Sequence, residues 1–215
     1  MMNSWDGEGM ALDMFGNYVQ HGKYHITPIT YSQTEPFILN IHYAKRMPSI
    51  THAYGLFENN KLMGIITYGS PASYTLCVGV AGREHRHEVL ELNRLVLKNN
   101  KKNEASILIS SSFKLLPKPK IIVSYADTEQ EHTGVVYQAT NFIFTGTTKE
   151  RTDPLGSEGQ HHRHLPSDAT QRKKRSAKHR YIYFLGSKTQ RKEYKKKLKY
   201  KVKPYPQKKL ESSDL

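Results

Sequence analysis

Short apolar runs broken by Gly, Pro and Asn punctuate this chain, and one of them leads directly into a cluster of polar groups: Ile121 to Phe142 reads IIVSYADTEQEHTGVVYQATNF. The β-branched Ile121, Ile122 and Val123 follow Pro117 and Pro119 and predict a buried strand. Ser124, Tyr125 and Asp127 fall at its carboxyl end, where open α/β sheets bind ligands. Asp127 also reads as the cap of the turn that follows. Val135 to Asn141 predicts a helix and Phe142 to Thr147 a further strand.

Upstream, Tyr24 to Thr30 predicts a first strand. Thr34, Glu35 and Pro36 together open a helix reaching about Met47, with Phe37 or Ile38, Ile41 and Ala44 facing inward and Pro48 ending it. His42 and Tyr43 sit in its last turns. Ala53 to Phe57 and Leu62 to Tyr68 form two strands joined by Glu58-Asn59-Asn60-Lys61, a loop of hairpin length and composition. Gly69 to Ser73 is a loop, Glu88 to Leu97 a strand, and Asn103 to Leu116 a helix. This order predicts an α/β fold, with a mixed sheet that has an antiparallel half and a central parallel pair, flanked by helices.

Charge divides the chain. Of its 33 Lys and Arg residues, 17 lie from Pro166 onward against four acids, and the rest of the chain is almost neutral. Met1 to Gly22 shows no sustained period and is assigned no function. The expected organisation is an extension over 1–23, a core over 24–150, and a basic segment over 151–215 that is partly docked on the core. Cys77 is the only cysteine, so it forms no intramolecular disulfide and reads as a small buried residue. No apolar run is long enough for a signal peptide or membrane span, and a cytoplasmic location is expected.

Arg94 emerges from an apolar strand and needs either an anion or an internal partner such as Glu88 or Glu91. Ser106 stands in the first turn of the next helix, where phosphate or carboxylate groups bind readily, or is a plain first-turn residue. His161, His162 and His164 cluster in a Gly- and Ser-containing loop, read either as a metal site or as a solvated loop; His85 and His87 read as surface residues. In the basic segment, Lys173, Lys174, Arg175, Lys178 and Arg180 are candidates to neutralise phosphates. Tyr181, Tyr183, Tyr194, Tyr200 and Tyr205 are interleaved as candidates for base stacking, and YIYFLG reads as a docked strand. The residues from Pro204 onward are expected to be mobile.

The pieces HYAKRMPS, YGSPAS, ELNRLVL, NEAS, SYAD and YQATNFIFTG, taken together over about Phe37 to Gly146, resemble the Mom family of phage DNA-modification proteins, which are similar in fold to GCN5-related N-acetyltransferases. The resemblance implies transfer of a small carbamoylmethyl-type group to the exocyclic amine of adenine in double-stranded DNA, protecting phage DNA from restriction. It carries functional roles onto His42, Tyr43, Arg94, Ser106, Asp127 and Tyr137. Arg94 and Ser106 would hold the donor. The target adenine would be flipped out against Tyr43, Tyr68 and Tyr137. An acyl-CoA-type donor is one possibility, but the usual Gln/Arg-x-x-Gly-x-Gly/Ala pyrophosphate loop is replaced by Lys98-Asn99-Asn100-Lys101-Lys102-Asn103. Iron is a further implication, with His42 and Asp127 as possible ligands. The competing readings are a nucleic-acid-binding protein on the same scaffold without chemistry, and an acyltransferase acting on RNA or protein.

Overall fold

A computed structural model describes residues 17–71, 73–154 and 172–207. In chain order the elements are β1 (Val19–His21), β2 (Tyr24–Pro28), α1 (Tyr31–Pro36), a π-helical turn (Phe37–Ile41), β3 (His52–Glu58), β4 (Lys61–Gly69), α2 (Tyr74–Ala81), β5 (Val89–Leu97), α3 (Glu104–Leu115), β6 (Lys120–Asp127), α4 (Val135–Ala139), β7 (Ile143–Thr147), β8 (Arg151–Pro154), β9 (Arg172–Arg175), β10 (Lys178–Leu185) and α5 (Lys188–Lys197). The chain forms two compact units, Met1–Val123 with Tyr183–Lys199, and Ser124–Ile182 with Tyr200–Leu215. The segment after residue 150 therefore contributes to both.

In the first unit β1 to β5 pair successively as an antiparallel meander. Its tightest corner follows from two asparagines. Glu58 pairs with Lys61, and Asn59 and Asn60 take φ of 50° and 60°, the left-handed pair that a two-residue hairpin needs and that Asn tolerates. Phe37, Ile38, Ile65 and Val96 form a buried cluster, with Ile29, Met47, Ile50 and Leu62 packed against it. From α3, Leu108, Ile109, Ser112 and Phe113 face inward. Tyr68 is fully buried there, its hydroxyl 2.7 Å from the Ser112 hydroxyl.

The expected helix from Thr34 to Met47 is corrected. Thr30 caps it, with a reciprocal Thr30–Gln33 capping box, so Thr34 lies inside the helix and bonds back to the Tyr31 carbonyl at 2.6 Å. Pro36 has no N–H to continue the ladder. The chain passes into the π-helical turn, which closes with the His42 amide donating to the Phe37 carbonyl, so His42 and Tyr43 follow the helix rather than ending it. The α2 helix, capped by Ser73, was not expected, because a short apolar run does not distinguish helix from strand by its period.

In the second unit β7 and β10 pair antiparallel, and β8 and β9 form a separate two-stranded ribbon. Tyr181 is fully buried here and donates to the Thr133 carbonyl. Tyr205 donates to the Phe142 carbonyl at 2.7 Å, so the chain is anchored at least to that residue and the expected loosening from Pro204 is not observed there. Of the tyrosines expected to stack on bases, Tyr181 and Tyr194 are buried, Tyr183 stacks on Phe113 and Tyr200 lies under Arg180, while the Tyr205 side chain stays exposed.

Ile65 is fully enclosed by the first unit's apolar cluster. Ile65→Ala should lower unfolding free energy by about 2–5 kcal/mol, read as a shift of the urea midpoint with an unchanged slope.

Candidate active site

His42 is built into the exit of the π-helical turn. Its carbonyl accepts the Lys45 amide and its ring Nδ1 accepts the Ala44 amide, both at 3.0 Å. A neutral imidazole whose Nδ1 accepts carries its proton on Nε2, so in this geometry His42 offers a hydrogen-bond donor rather than a base. The half-exposed Tyr43 ring stacks on it, with centroids 4.4 Å apart.

The loop that follows is held by two consecutive residues of β5. Arg94 donates through Nη2 to the Arg46 carbonyl at 2.8 Å and through Nη1 to the Asn93 carbonyl at 2.7 Å. Asn93 accepts from the Thr67 hydroxyl at 2.5 Å and donates to the Ser49 carbonyl at 2.8 Å. The close approach of Ser49 to β4 requires Gly69, since a Cβ there would collide with the Ser49 carbonyl. The Arg94 Nε is buried with no hydrogen-bond partner, and no carboxylate among the described residues lies within ion-pair distance of the guanidinium. Burial, and after it the neighbouring Arg46, push its pKa down. The expected internal pairing with Glu88 or Glu91 is not formed. Arg94 is a partly desolvated cation whose partners so far are carbonyl dipoles.

The amino terminus of α3 is occupied from within. Glu104 is fully buried, and its carboxylate accepts the Lys101 amide at 2.8 Å and the Tyr24 hydroxyl at 3.0 Å. Ser106 donates to the Asn103 carbonyl at 3.0 Å. A carboxylate at this helix start opposes a phosphate there, so of the two expected donor-holding residues Arg94 is the better placed for an anion and Ser106 the worse.

In the second unit Asp127 is buried at the end of β6. It accepts from the Ser176 hydroxyl and from Lys178 Nζ, each at 2.5 Å, and from the Glu129 amide at 3.1 Å. It is therefore the turn cap foreseen as one of its readings, and also half of an ion pair. Burial drives its carboxyl pKa up, but the bonds from Lys178 and Ser176 outweigh this and hold it below the ordinary value. Tyr137 is buried between the rings of Phe142 and Tyr181, at 5.3 and 5.2 Å.

Two of the expected phosphate contacts are committed internally: Lys178 to Asp127, and Arg180 to Thr145 through Nε and Nη2, with its guanidinium 3.5 Å from the Tyr200 ring centre. Arg175 pairs with Asp153 and Lys174 with Glu150, both at 2.8 Å, the second pair well exposed. Lys173 lies in β9 opposite Asp153. Tyr68, expected to face a flipped base, has no exposed face to offer. His161, His162 and His164 lie outside the described residues.

The iron implied by resemblance does not fit. Asp127 already holds an ammonium group, His42 uses Nδ1 as an acceptor, and no three His, Cys, Asp or Glu side chains cluster among the described residues. No helix among them is long and apolar enough to cross a membrane.

The sequence profile of the Mom protein family matches residues 23–207. The chain belongs to the Mom family. It is 29% identical over 187 residues to the methylcarbamoylase Mom of Escherichia phage Mu, covering 77% of this chain and 76% of that protein. Among solved structures it is similar to Arabidopsis thaliana NAA60 in complex with acetyl-CoA, at 12% identity and TM-score 0.50, covering 75% of this chain and 98% of that one. It is also similar to a probable acetyltransferase of the GNAT family from Chromobacterium violaceum, at 9% identity and TM-score 0.48, over 86% and 92% of the two chains. The first of these structures shows the fold, an acetyltransferase-like mixed sheet flanked by helices.

Set within the Mom family, this chain shows three supports that residue types alone did not reveal: Asn93, Gly69 and Ser176. Each acts on a backbone or side chain distant in sequence. Only Asn93 carried a signal, as a polar residue inside an apolar strand.

The Asp127–Lys178 pair gives a testable pH dependence. Lys178→Met would leave a buried carboxylate without its counter-ion and should cost about 3–5 kcal/mol at neutral pH. Because the folded Asp127 carboxyl titrates below its ordinary 3.8, the pair's contribution is present above that pH and lost as pH falls through the lower folded value. The stability gap between the native protein and Asp127→Asn should therefore narrow as pH falls below the ordinary carboxyl value of 3.8, as followed by denaturant titration.

Proposed function

We propose that this chain is a DNA-modifying transferase that adds a small carbamoylmethyl-type group to the exocyclic amine of adenine in phage DNA, in the host cytoplasm, protecting that DNA from restriction. Membership of the Mom family and the methylcarbamoylase name of the phage Mu relative support the reading. The structural observation that carries it is Arg94, a half-buried guanidinium with a buried, unpartnered Nε that meets no carboxylate among the described residues. A scaffold that only bound DNA would have no use for such a cation beneath an aromatic-bearing loop.

The residues suggest distinct roles. Arg94 holds an anionic part of the donor, for which an acyl-CoA-type molecule is the class suggested by the acetyl-CoA complex of NAA60; Ser106 and the start of α3 contribute less, given Glu104. His42, as an Nε2–H donor, is suited to a carbonyl oxygen that gains negative charge during transfer. Tyr43 offers an exposed ring face to an adenine, which must leave the helical stack at a cost of about a few kcal/mol before its amine is accessible. Asp127, with its proton affinity held down, orients an amine through a hydrogen bond instead of taking a strongly held proton. Tyr137, packed as it is, supports the second unit's surface.

Mass spectrometry of nucleosides from the DNA of cells producing the protein should reveal an adenine derivative carrying the added group. Arg94→Ala should reduce its yield by roughly 10²–10³, with duplex affinity near native and folding checked by thermal melting. Unmodified adenine from cells producing the native protein would refute the assignment.

The exposed part of the β8–β9 ribbon should neutralise phosphates, because a two-stranded ribbon fits the major groove. Changing Lys173, Lys174 and Arg175 together to Ala should lower duplex affinity and flatten its logarithmic salt dependence by about 0.9 for each phosphate no longer neutralised, with little change in sequence preference. An unaltered salt slope would remove the ribbon from the interface.

A further inference from the structure

A second concentration of positive charge lies on α5, at a distance in sequence from the ribbon. This helix is fixed at its start by a reciprocal Ser187–Gln190 capping box, and at 3.6 residues per turn it separates into two faces. One face is docked. Tyr194 is buried, its hydroxyl donates to Glu88, and its ring lies 5.2 Å from His85 and 6.0 Å from Phe184. Glu193 is taken by His85 at 3.2 Å, Lys197 lies 3.8 Å from Glu84, and just beyond the helix the Lys199 amide donates to the Gly79 carbonyl.

The other face carries Lys188, Arg191, Lys192, Lys195 and Lys196. Their spacing of i, i+3, i+4, i+7 and i+8 places them in one stripe. All five are exposed, and none has an acidic partner among the described residues. The arrangement opposes helix stability in two ways. Three like-charge pairs stand at i, i+4 (Lys188 with Lys192, Arg191 with Lys195, Lys192 with Lys196), each unfavourable, and Lys188 and Arg191 stand near the positive end of the helix dipole. An extended anion would relieve both.

We infer that this face of α5 is a second docking surface for duplex DNA, binding through phosphates and independent of sequence; the choice of partner rests on the reading of DNA as substrate. Three observations favour a duplex over other polyanions. An interfacial membrane helix requires exposed apolar side chains beside its cations, and the aromatic residue of α5, Tyr194, is buried in the protein. Single-stranded nucleic acid is held largely by base stacking, whereas Tyr194 is enclosed and Tyr200 is covered by Arg180. The stripe covers about 12 Å of helix axis, a length over which a duplex presents about seven phosphates.

The test uses the full chain carrying Lys188→Gln, Arg191→Gln, Lys192→Gln, Lys195→Gln and Lys196→Gln, with duplex binding followed by fluorescence anisotropy across a salt series. The expected result is a loss of about tenfold or more in affinity at moderate salt and a logarithmic salt slope shallower by about 0.9 for each phosphate no longer neutralised, with a thermal midpoint equal to or above native. Unchanged affinity and slope would overturn the inference. So would a variant that loses flotation with phosphatidylserine-containing vesicles while binding duplex normally, since the face would then belong to a membrane. The DNA of producing cells, analysed in parallel, separates the two readings. Absence of any adenine derivative with the native protein refutes the enzymatic assignment, whereas the anisotropy result alone decides the role of α5.

Discussion

The first unit's site depends on one guanidinium in a place where water does not fully reach it. Arg94 uses two of its donors on the carbonyls of Arg46 and Asn93, and through the first of these it fixes the loop that begins at His42. Asn93 adds a second hold at Ser49. The same bonds that position the loop leave the charge of Arg94 only partly compensated, since carbonyl dipoles solvate a cation less completely than a carboxylate neutralises it. Holding the loop and carrying an incompletely compensated charge are thus one property of the same residue. A lysine could supply the charge, but not the fork that reaches two carbonyls at once.

The basic segment divides along the same line. Lys178 and Arg180 are structural cations, one neutralised by a buried carboxylate and the other stacked on Tyr200. Arg175 and Lys174 are intermediate, each beside an acid that a phosphate could displace in the exposed pair. The outer face of α5 gathers five exposed cations with no acidic partner among the described residues. A count of lysines therefore overstates the surface available to DNA in one place and misplaces it in another, because charge is available only where folding has not already paired it.

What could be read from the sequence was what local chemistry decides. Asn59-Asn60 between two β-branched and aromatic runs specifies a hairpin, and Ile121 to Val123 specify a buried strand, because the neighbouring residues alone select those backbones. The π-helical turn was not legible, since its cause is a proline inside a helix whose effect depends on what packs behind it. The position of His42 moved with it. The burial of Tyr181 and Tyr194 was not legible for a related reason: an aromatic residue among lysines is equally consistent with base stacking and with anchoring, and only tertiary partners, such as Glu88 for Tyr194, distinguish them. Arg94 was legible as a site because a charge inside an apolar strand has few ways to be satisfied.

These partners also limit the kind of chemistry the chain can perform. A general base working near neutrality is tuned by raising a carboxyl pKa or by leaving an imidazole nitrogen open to accept. Here the carboxyl of Asp127 is held down by Lys178 and Ser176, and the Nδ1 of His42 already accepts the Ala44 amide. Neither group is arranged to remove a proton from a poor acid. Both are arranged to hold direction, His42 as a fixed donor and Asp127 as a fixed acceptor, and Arg94 is a fixed charge. Catalysis built from such groups works by orienting the reactants and by stabilising charge that develops during transfer. The loop at His42 and the Asp127 network are each held by several hydrogen bonds, and oriented dipoles stabilise developing charge only if they need not reorganise to do so.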